Sequence, residues 1–230
     1  MKKYLTWAKL VLLLGLSACN SEERNNVDPV RTMISEFDTG LEGWRGDYAL
    51  YNKADTTKIG FRMERDSLPA IIDSTRWSLR LEATNAGDSI FLFLKKKMTG
   101  LNPDKTYTID FDIDVASNFP DLPNGSGKNI NIKAGASATE PVKLGNTYLT
   151  PSIKKGLWDK DGAEMAIIGD VVNKASRAVY EIINRKNDSK TIAVKPDANG
   201  TIWICIGEDT RYDGKTVLYY DRIKIVCTEQ

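Results

Sequence analysis

Asp110, Asp112 and Asp114 alternate with Ile109, Phe111, Ile113 and Val115, a spacing that puts three carboxylates on one face of an extended strand, about 7 Å apart. Carboxylate pairs at such separations cleave glycosidic bonds, one acid protonating the leaving oxygen while the other attacks or activates water. That chemistry needs one member's pKa raised and the other's lowered, and nothing in the flanking residues sets these three apart. The plainer reading is a solvated strand face balanced by neighbouring Lys and Arg. Trp158 is the second candidate, in the polar loop Lys154-Lys155-Gly156-Leu157-Trp158-Asp159-Lys160-Asp161-Gly162. An indole there is either a flat platform for a ring-shaped ligand or an anchor that packs the loop onto the body of the fold. Trp44, Trp77 and Trp203 lie inside β-like runs and are expected in the core.

The chain has no histidine. This excludes Ser-His-Asp and Cys-His nucleophile systems, histidine zinc sites and a histidine general base, so any catalysis would rest on carboxylates, lysine or tyrosine. Three local motifs fall away on spacing. Asp159-Lys160-Asp161-Gly162 has its glycine at the fourth position rather than the sixth of a calcium loop and reads as a turn. Gly125-Ser126-Gly127-Lys128 lacks the first glycine and the closing Ser or Thr of a phosphate loop. Ser152-Ile153-Lys154-Lys155 has neither partner motif of the penicillin-binding enzymes.

Location is written at the N-terminus. Lys2 and Lys3 precede a short apolar run from Leu10 to Leu16, and Leu16-Ser17-Ala18-Cys19 closes it in a pattern that resembles a lipobox. Cleavage before Cys19 would leave the mature chain on a lipid tether, and the run is too short to span a bilayer. Glu22-Glu23 resembles the surface-export signal of Bacteroidetes-type lipoproteins, so the expected location is the outer membrane, on its surface or its periplasmic face. Removing residues 1–18 takes away three of the 32 basic residues and no acid, leaving 29 against 31 acidic, a net charge of −2. The broad basic footprint of a nucleic-acid binder is absent, and Lys95-Lys96-Lys97 reads as a solvated strand end. Cys205 and Cys227 remain, in a compartment that permits a disulfide; two separate buried thiols are the alternative.

Residues 19–31 hold the lipidated cysteine and a polar tether, and 32–230 read as one domain. Its dominant signal is period-two alternation, clearest from Tyr107 to Val115 and repeated at Asn129 to Lys133. Ile90 to Leu94 is apolar on both faces and suits a central strand, while Thr201–Gly207 and Thr216–Cys227 are long β-runs. Further strands are expected near 33–37, 44–50, 58–64, 77–83, 163–171, 177–184 and 190–195. No helix-length amphipathic stretch is present. The fold class is all-β, an antiparallel β-sandwich, with Asn118 to Gly162 forming long loops that decorate it.

Four segments, Phe37-Asp38-Thr39-Gly40-Leu41-Glu42-Gly43-Trp44, Ser74 to Leu81, Thr99 to Phe111 and Leu218 to Ile225, together resemble the galactose-binding-like jelly rolls, above all carbohydrate-binding modules of families four and nine. The chain also resembles gut-bacterial lipoproteins of the same pattern, which carry no assigned activity. The first resemblance implies a non-catalytic carbohydrate-binding lipoprotein whose partner is a glycan or polysaccharide, bound through Asp110 and Asp112 or through Trp158. It also implies a structural calcium joining the first strand to the last through Asp38 and Asp221. Asp221 interrupts the apolar alternation of Val217, Tyr219, Ile223 and Ile225, so it needs hydrogen-bond donors, an arginine or a cation. Two other functions compete: an accessory module docking an envelope protein, and a carboxylate-dependent glycosidase or lyase.

Overall fold

The computed structural model describes residues 28–188 and 190–230. The segment expected to be a signal, and Cys19, lie outside the described residues. Fifteen strands run in chain order as β1 (Val30–Ser35), β2 (Arg45–Ala49), β3 (Tyr51–Asn52), β4 (Arg62–Ser67), β5 (Trp77–Thr84), β6 (Ile90–Met98), β7 (Tyr107–Ser117), β8 (Ile130–Ser137), β9 (Lys143–Leu144), β10 (Tyr148–Pro151), β11 (Met165–Asp170), β12 (Glu181–Lys186), β13 (Ala193–Val194), β14 (Ile202–Thr210) and β15 (Lys215–Glu229). The chain passes back and forth between two antiparallel sheets, the wrapping of a jelly roll. One has seven strands in the order β12-β7-β15-β5-β4, with β1 on β15 and β13 on β7; the other has five, in the order β11-β8-β14-β6-β2. A small third sheet, β3-β10-β9, is hydrogen-bonded into neither.

The alternation read from the sequence is what closes the sandwich. Along β7 the side chains of Tyr107, Ile109, Phe111, Ile113 and Val115 are buried, and β8 and β14 answer with Ile130, Ile132, Ala134, Ile202, Ile204 and Ile206 in one continuous core. The spine is β15, which pairs with β7, with β5 through its first half and with β1 through its second. Its register slips between Tyr220 and Arg222. This bulge changes the phase of the strand: Leu218 and Tyr220 point inward before it, and Ile223, Ile225 and Cys227 after it. Asp221 is the extra residue of the bulge, so it does not share a face with Val217, Tyr219, Ile223 and Ile225 as simple alternation predicts.

Other differences have local causes. Strand β1 starts at Val30, opposite Thr228, so order begins before the expected boundary at 32. The stretch expected to be a strand from 58 opens instead with a helical turn, Thr56–Ile59, ended by Gly60 at φ 57°, a left-handed conformation that glycine adopts without strain. Trp44 is buried as expected, but Trp203 is only half-buried and Trp77, at the start of β5, is 39% exposed. Cys205 and Cys227 are both free thiols: Cys227 packs in the main core against Met98, whereas Cys205 belongs to a separate cluster on the outer side of the five-stranded sheet.

One buried carboxyl breaks the apolar pattern. Glu208 on β14 shares its inward face with Ile204 and Ile206, accepts a hydrogen bond at 3.2 Å from the Tyr220 hydroxyl across the sandwich, and has no partner at Oε2 among the described residues. Burial pushes its pKa up to about 8, with the Tyr220 bond pulling the other way. The folded state therefore holds this proton more tightly than the unfolded chain, whose carboxyl titrates near its ordinary value. Stability is fullest below that ordinary value and is lost as pH climbs toward about 8, by up to about 1.4 kcal/mol per pH unit. No histidine titrates in this window to mask the trend. Urea unfolding at several pH values between 5 and 8 should show this decline, and Glu208→Gln should flatten it; parallel curves for the two proteins would show that Glu208 is not the cause.

Candidate functional site

The five-stranded sheet is apolar on its outer side as well as its inner one. Phe91, Phe93 and Cys205 point away from the sandwich core, and with Ala49, Ile153 and Met165 they form a second buried cluster. Gly207 leaves room for it, since a Cβ there would lie 2.3 Å from the Phe91 ring. The chain between β8 and β11 closes over this cluster. The decorating loops are therefore a covering layer, with β9 and β10 inside it.

Two lysines fasten that layer. Lys95, expected at a solvated strand end, is buried; its ammonium donates to the Pro141 carbonyl at 2.7 Å and pairs with Glu140 at 2.7 Å. Lys133, outward-facing on β8, is fully buried. Its ammonium donates to the carbonyls of Lys155 and Lys160 at 2.9 Å each and to that of Leu157, and it lies 3.3 Å from the Asp209 carboxylate of β14. Lys155 reaches the same Asp209 oxygen at 2.5 Å. Burial lowers the Lys133 pKa, with Asp209 opposing the shift and Lys155 reinforcing it. Two ammoniums thus share one carboxylate oxygen, and the other, Asp209 Oδ1, is buried without a donor among the described residues.

Above this cluster lies a groove of about 410 Å³, bordered by Leu50, Ile153, Lys154, Lys155, Trp158, Asp209 and Arg211 among others. Trp158 is held at both ends: its indole N–H donates to the Asn129 carbonyl at 3.2 Å, and its own carbonyl accepts from the Asn131 side chain at 3.0 Å. The ring remains half-exposed, with the Arg211 guanidinium 4.9 Å from its centroid. Gly156, at φ 76°, turns the loop where a Cβ would lie 2.5 Å from the Asp161 backbone. A second cavity of about 220 Å³, which includes Tyr148, Asp55 and Asp88, also borders Leu50 and Ser89. Leu50 has φ 64°, unusual for a leucine, and its N–H donates to Leu149 of the covering layer at 2.6 Å. Chemically the groove offers a fixed aromatic face, a buried acceptor and cationic donors. It does not offer a pair of opposed carboxylic acids.

The other sequence candidates lie elsewhere. Asp110 and Asp112 are on the outer face of the seven-stranded sheet, across the sandwich from Trp158, so the structure does not bring them together. Asp112 accepts from Asn184 at 2.7 Å and pairs with Lys186 and Arg222 at 3.3 Å; Asp114 accepts from Asn184 at 2.7 Å and from Arg222 at 2.9 Å. Burial works against the Asp112 charge, but these hydrogen bonds and cations hold its pKa below the usual carboxylate range. Asp38 and Asp221 do border one pocket, of about 280 Å³, with Glu36, Arg76, Trp77, Asp114 and Arg222.

That pocket fits calcium poorly. Asp221 is paired with Arg76, the Asp38 carbonyl is taken by Arg65, and burial raises the Asp221 pKa. Among the described residues no three acidic or thiol side chains are grouped to hold a metal, whereas calcium takes six or more oxygens. Asp209 and Arg211 fall between the β-runs read as Thr201–Gly207 and Thr216–Cys227, although the outward alternation Trp203, Cys205, Gly207, Asp209 carries the strand one step further.

No family model matches the chain. No curated protein matches it by sequence. Among solved structures it is similar to one described as explaining the promiscuous specificity of carbohydrate-binding modules of the β-sandwich superfamily, at 15% identity and a TM-score of 0.40; the match covers 82% of this chain but only 59% of that one. It is also similar to a family 4 carbohydrate-binding module, at 13% identity, a TM-score of 0.34 and coverage of 90% and 97%. A third is the family 11 module of a cellulosomal cellulase from Clostridium thermocellum, at 11% identity, a TM-score of 0.37 and coverage of 85% and 94%. At this level of likeness the site is argued from its own side chains.

Lys133→Met should remove the fastening of residues 155–160 and leave Asp209 with a single ammonium. We expect a loss of about 3 kcal/mol in urea unfolding, the scale for breaking a buried ion pair, with faster proteolysis between Lys154 and Lys160. An unchanged cleavage rate would mean that other contacts hold the loop.

Proposed function

We propose that this chain is a lipid-anchored, non-catalytic glycan-binding protein of the bacterial outer membrane, and that the Trp158 groove is its binding site. The observation that carries the reading is the indole, fixed at both ends beside a buried carboxylate oxygen that lacks a donor. A pyranose presents an apolar face for stacking and hydroxyls for donation, and this pairing of groups matches it. A carboxylate deprived of a donor in low dielectric gains most from a ligand hydroxyl. The carbohydrate-binding modules named above are consistent with the reading without carrying it. The anchor rests on the Leu16-Ser17-Ala18-Cys19 sequence.

The exposed Leu144, Tyr148 and Leu157 of the covering layer favour a second reading, in which this side docks an envelope protein.

Affinity electrophoresis of the mature chain against plant, host and microbial polysaccharides tests the first reading. At least one glycan should retard it, and Trp158→Ala should weaken that retention about tenfold or more, the scale of a lost stacking contact. Asp112→Ala, on the opposite sheet, should leave it unchanged. If no glycan retards the folded protein, the docking reading takes its place. Detergent phase partition tests the anchor: the natural chain expressed in a bacterial host should enter the detergent phase and Cys19→Ser the aqueous phase.

A further inference from the structure

The charges around the groove do not balance, and the imbalance points to its ligand. Asp209 is its one acidic lining residue, and Lys133 and Lys155 already compensate that carboxylate with an ammonium to spare. Lys154 and Arg211 line the same groove, both exposed, and neither has a carboxylate within ion-pair distance among the described residues. Lys186 and Arg222 on the outer face of the seven-stranded sheet are neutralised by Asp112 and Asp114, and Lys190 beside the loop by Asp161. Surface cations such as Lys97, Lys174 and Lys224 stand without an ion pair among the described residues too, so what sets the groove apart is that two of its cations border one fixed indole.

The Arg211 guanidinium lies 4.9 Å over the indole centroid, a cation–π contact that consumes none of its N–H groups, and these make no side-chain hydrogen bond among the described residues. Those donors form a planar fork suited to a carboxylate or sulfate, while Asp209 Oδ1 needs a hydroxyl. We infer, on the reading that this groove holds a glycan, that the glycan is acidic: its carboxylate or sulfate lies at Arg211 and Lys154, and a hydroxyl of the same or the next residue donates to Asp209. The direction of the ligand follows as well. In the adjoining cavity Asp55 is neutralised by Lys58, but Asp88 has no cation within ion-pair distance among the described residues, so the anionic group belongs at the Trp158 end and not at the Tyr148 end.

The test compares matched pairs of polymers with the mature chain: polygalacturonate against its carboxyl-reduced form, and dextran sulfate against dextran. The acidic member of at least one pair should bind about tenfold or more tightly than its neutral partner, which distinguishes a carboxylate ligand from a sulfate one. Arg211→Gln and Lys154→Gln should each weaken that binding about tenfold, the scale of one hydrogen bond to a charged group. Lys224→Gln, on the far sheet, controls for general attraction to polyanions and should change nothing. Equal binding of acidic and neutral members overturns the acidic assignment and leaves glycan binding standing. Weakening by Lys224→Gln as large as that by the groove variants also overturns it. No binding in either pair overturns the assignment, and if the wider polysaccharide panel fails as well, the glycan reading falls with it.

Discussion

The ammonium of Lys133 sits where the sandwich and its covering layer meet, and the candidate site depends on it. It points outward from the five-stranded sheet, into what would be solvent in a bare sandwich, yet it is fully buried. Burial of a charge in low dielectric is costly unless every donor is used. Here three carbonyls of one loop and the Asp209 carboxylate surround it, so the loop can cover the charged ammonium only along the path that supplies these acceptors. The loop in turn keeps its path because the ammonium collects its carbonyls. Trp158 lies within this clamped segment, which gives the indole a definite position although no strand contains it.

This arrangement follows from the composition of the sheet beneath. Phe91, Phe93 and Cys205 would expose apolar surface on the outer side of β6 and β14, and covering them is favourable by about 25 cal/mol per Å² of area removed from water. An apolar cover alone would slide, since such burial has no direction. Lys95 and Lys133 supply direction at two points, each by binding backbone carbonyls of the cover, with the Glu140 carboxylate added at Lys95. The cover can therefore vary in side-chain identity where it faces solvent, while its backbone stays fixed. That is the usual division of labour between a rigid scaffold and a loop that recognises something.

The sandwich was legible in the sequence because burial of one strand face leaves a period-two trace, as in Tyr107 to Val115, and burial of both faces leaves an unbroken run, as in Ile90 to Leu94. The same logic fails where a polar residue is buried. Asn129 to Lys133 alternates cleanly, but the face bearing Asn131 and Lys133 lies under a loop distant in sequence, and alternation records polarity rather than exposure. Lys95 was misread for that reason, and Trp77 for the converse one, an apolar residue at a strand's open end. The bulge at Asp221 carries no local signal that separates it from an inward carboxylate. Trp158 could be singled out by its type and its polar surroundings, whereas Asp209 could not, because its meaning comes from Lys133 and Lys155, which reach it from other segments.

The two outer faces of the sandwich show how one set of residue types yields different surfaces. On the seven-stranded sheet Asp112 and Asp114 face Arg222, with Asn184 bonded to both, all at positions set by neighbouring strands, so the charges meet directly and leave a satisfied network. On the five-stranded sheet Asp209 and Lys133 come from neighbouring strands and Lys155 from the loop, and the geometry that lets two ammoniums share one carboxylate oxygen leaves the other oxygen without a donor among the described residues. A strand-to-strand ion pair can settle into mutual satisfaction because its register offers few alternatives. A strand-to-loop cluster whose loop is committed to other tasks, here covering Phe91 and presenting Trp158, keeps an unmet hydrogen-bonding demand. That residual demand, and not the number of charges, is what separates a groove able to recognise a ligand from a face that is only solvated.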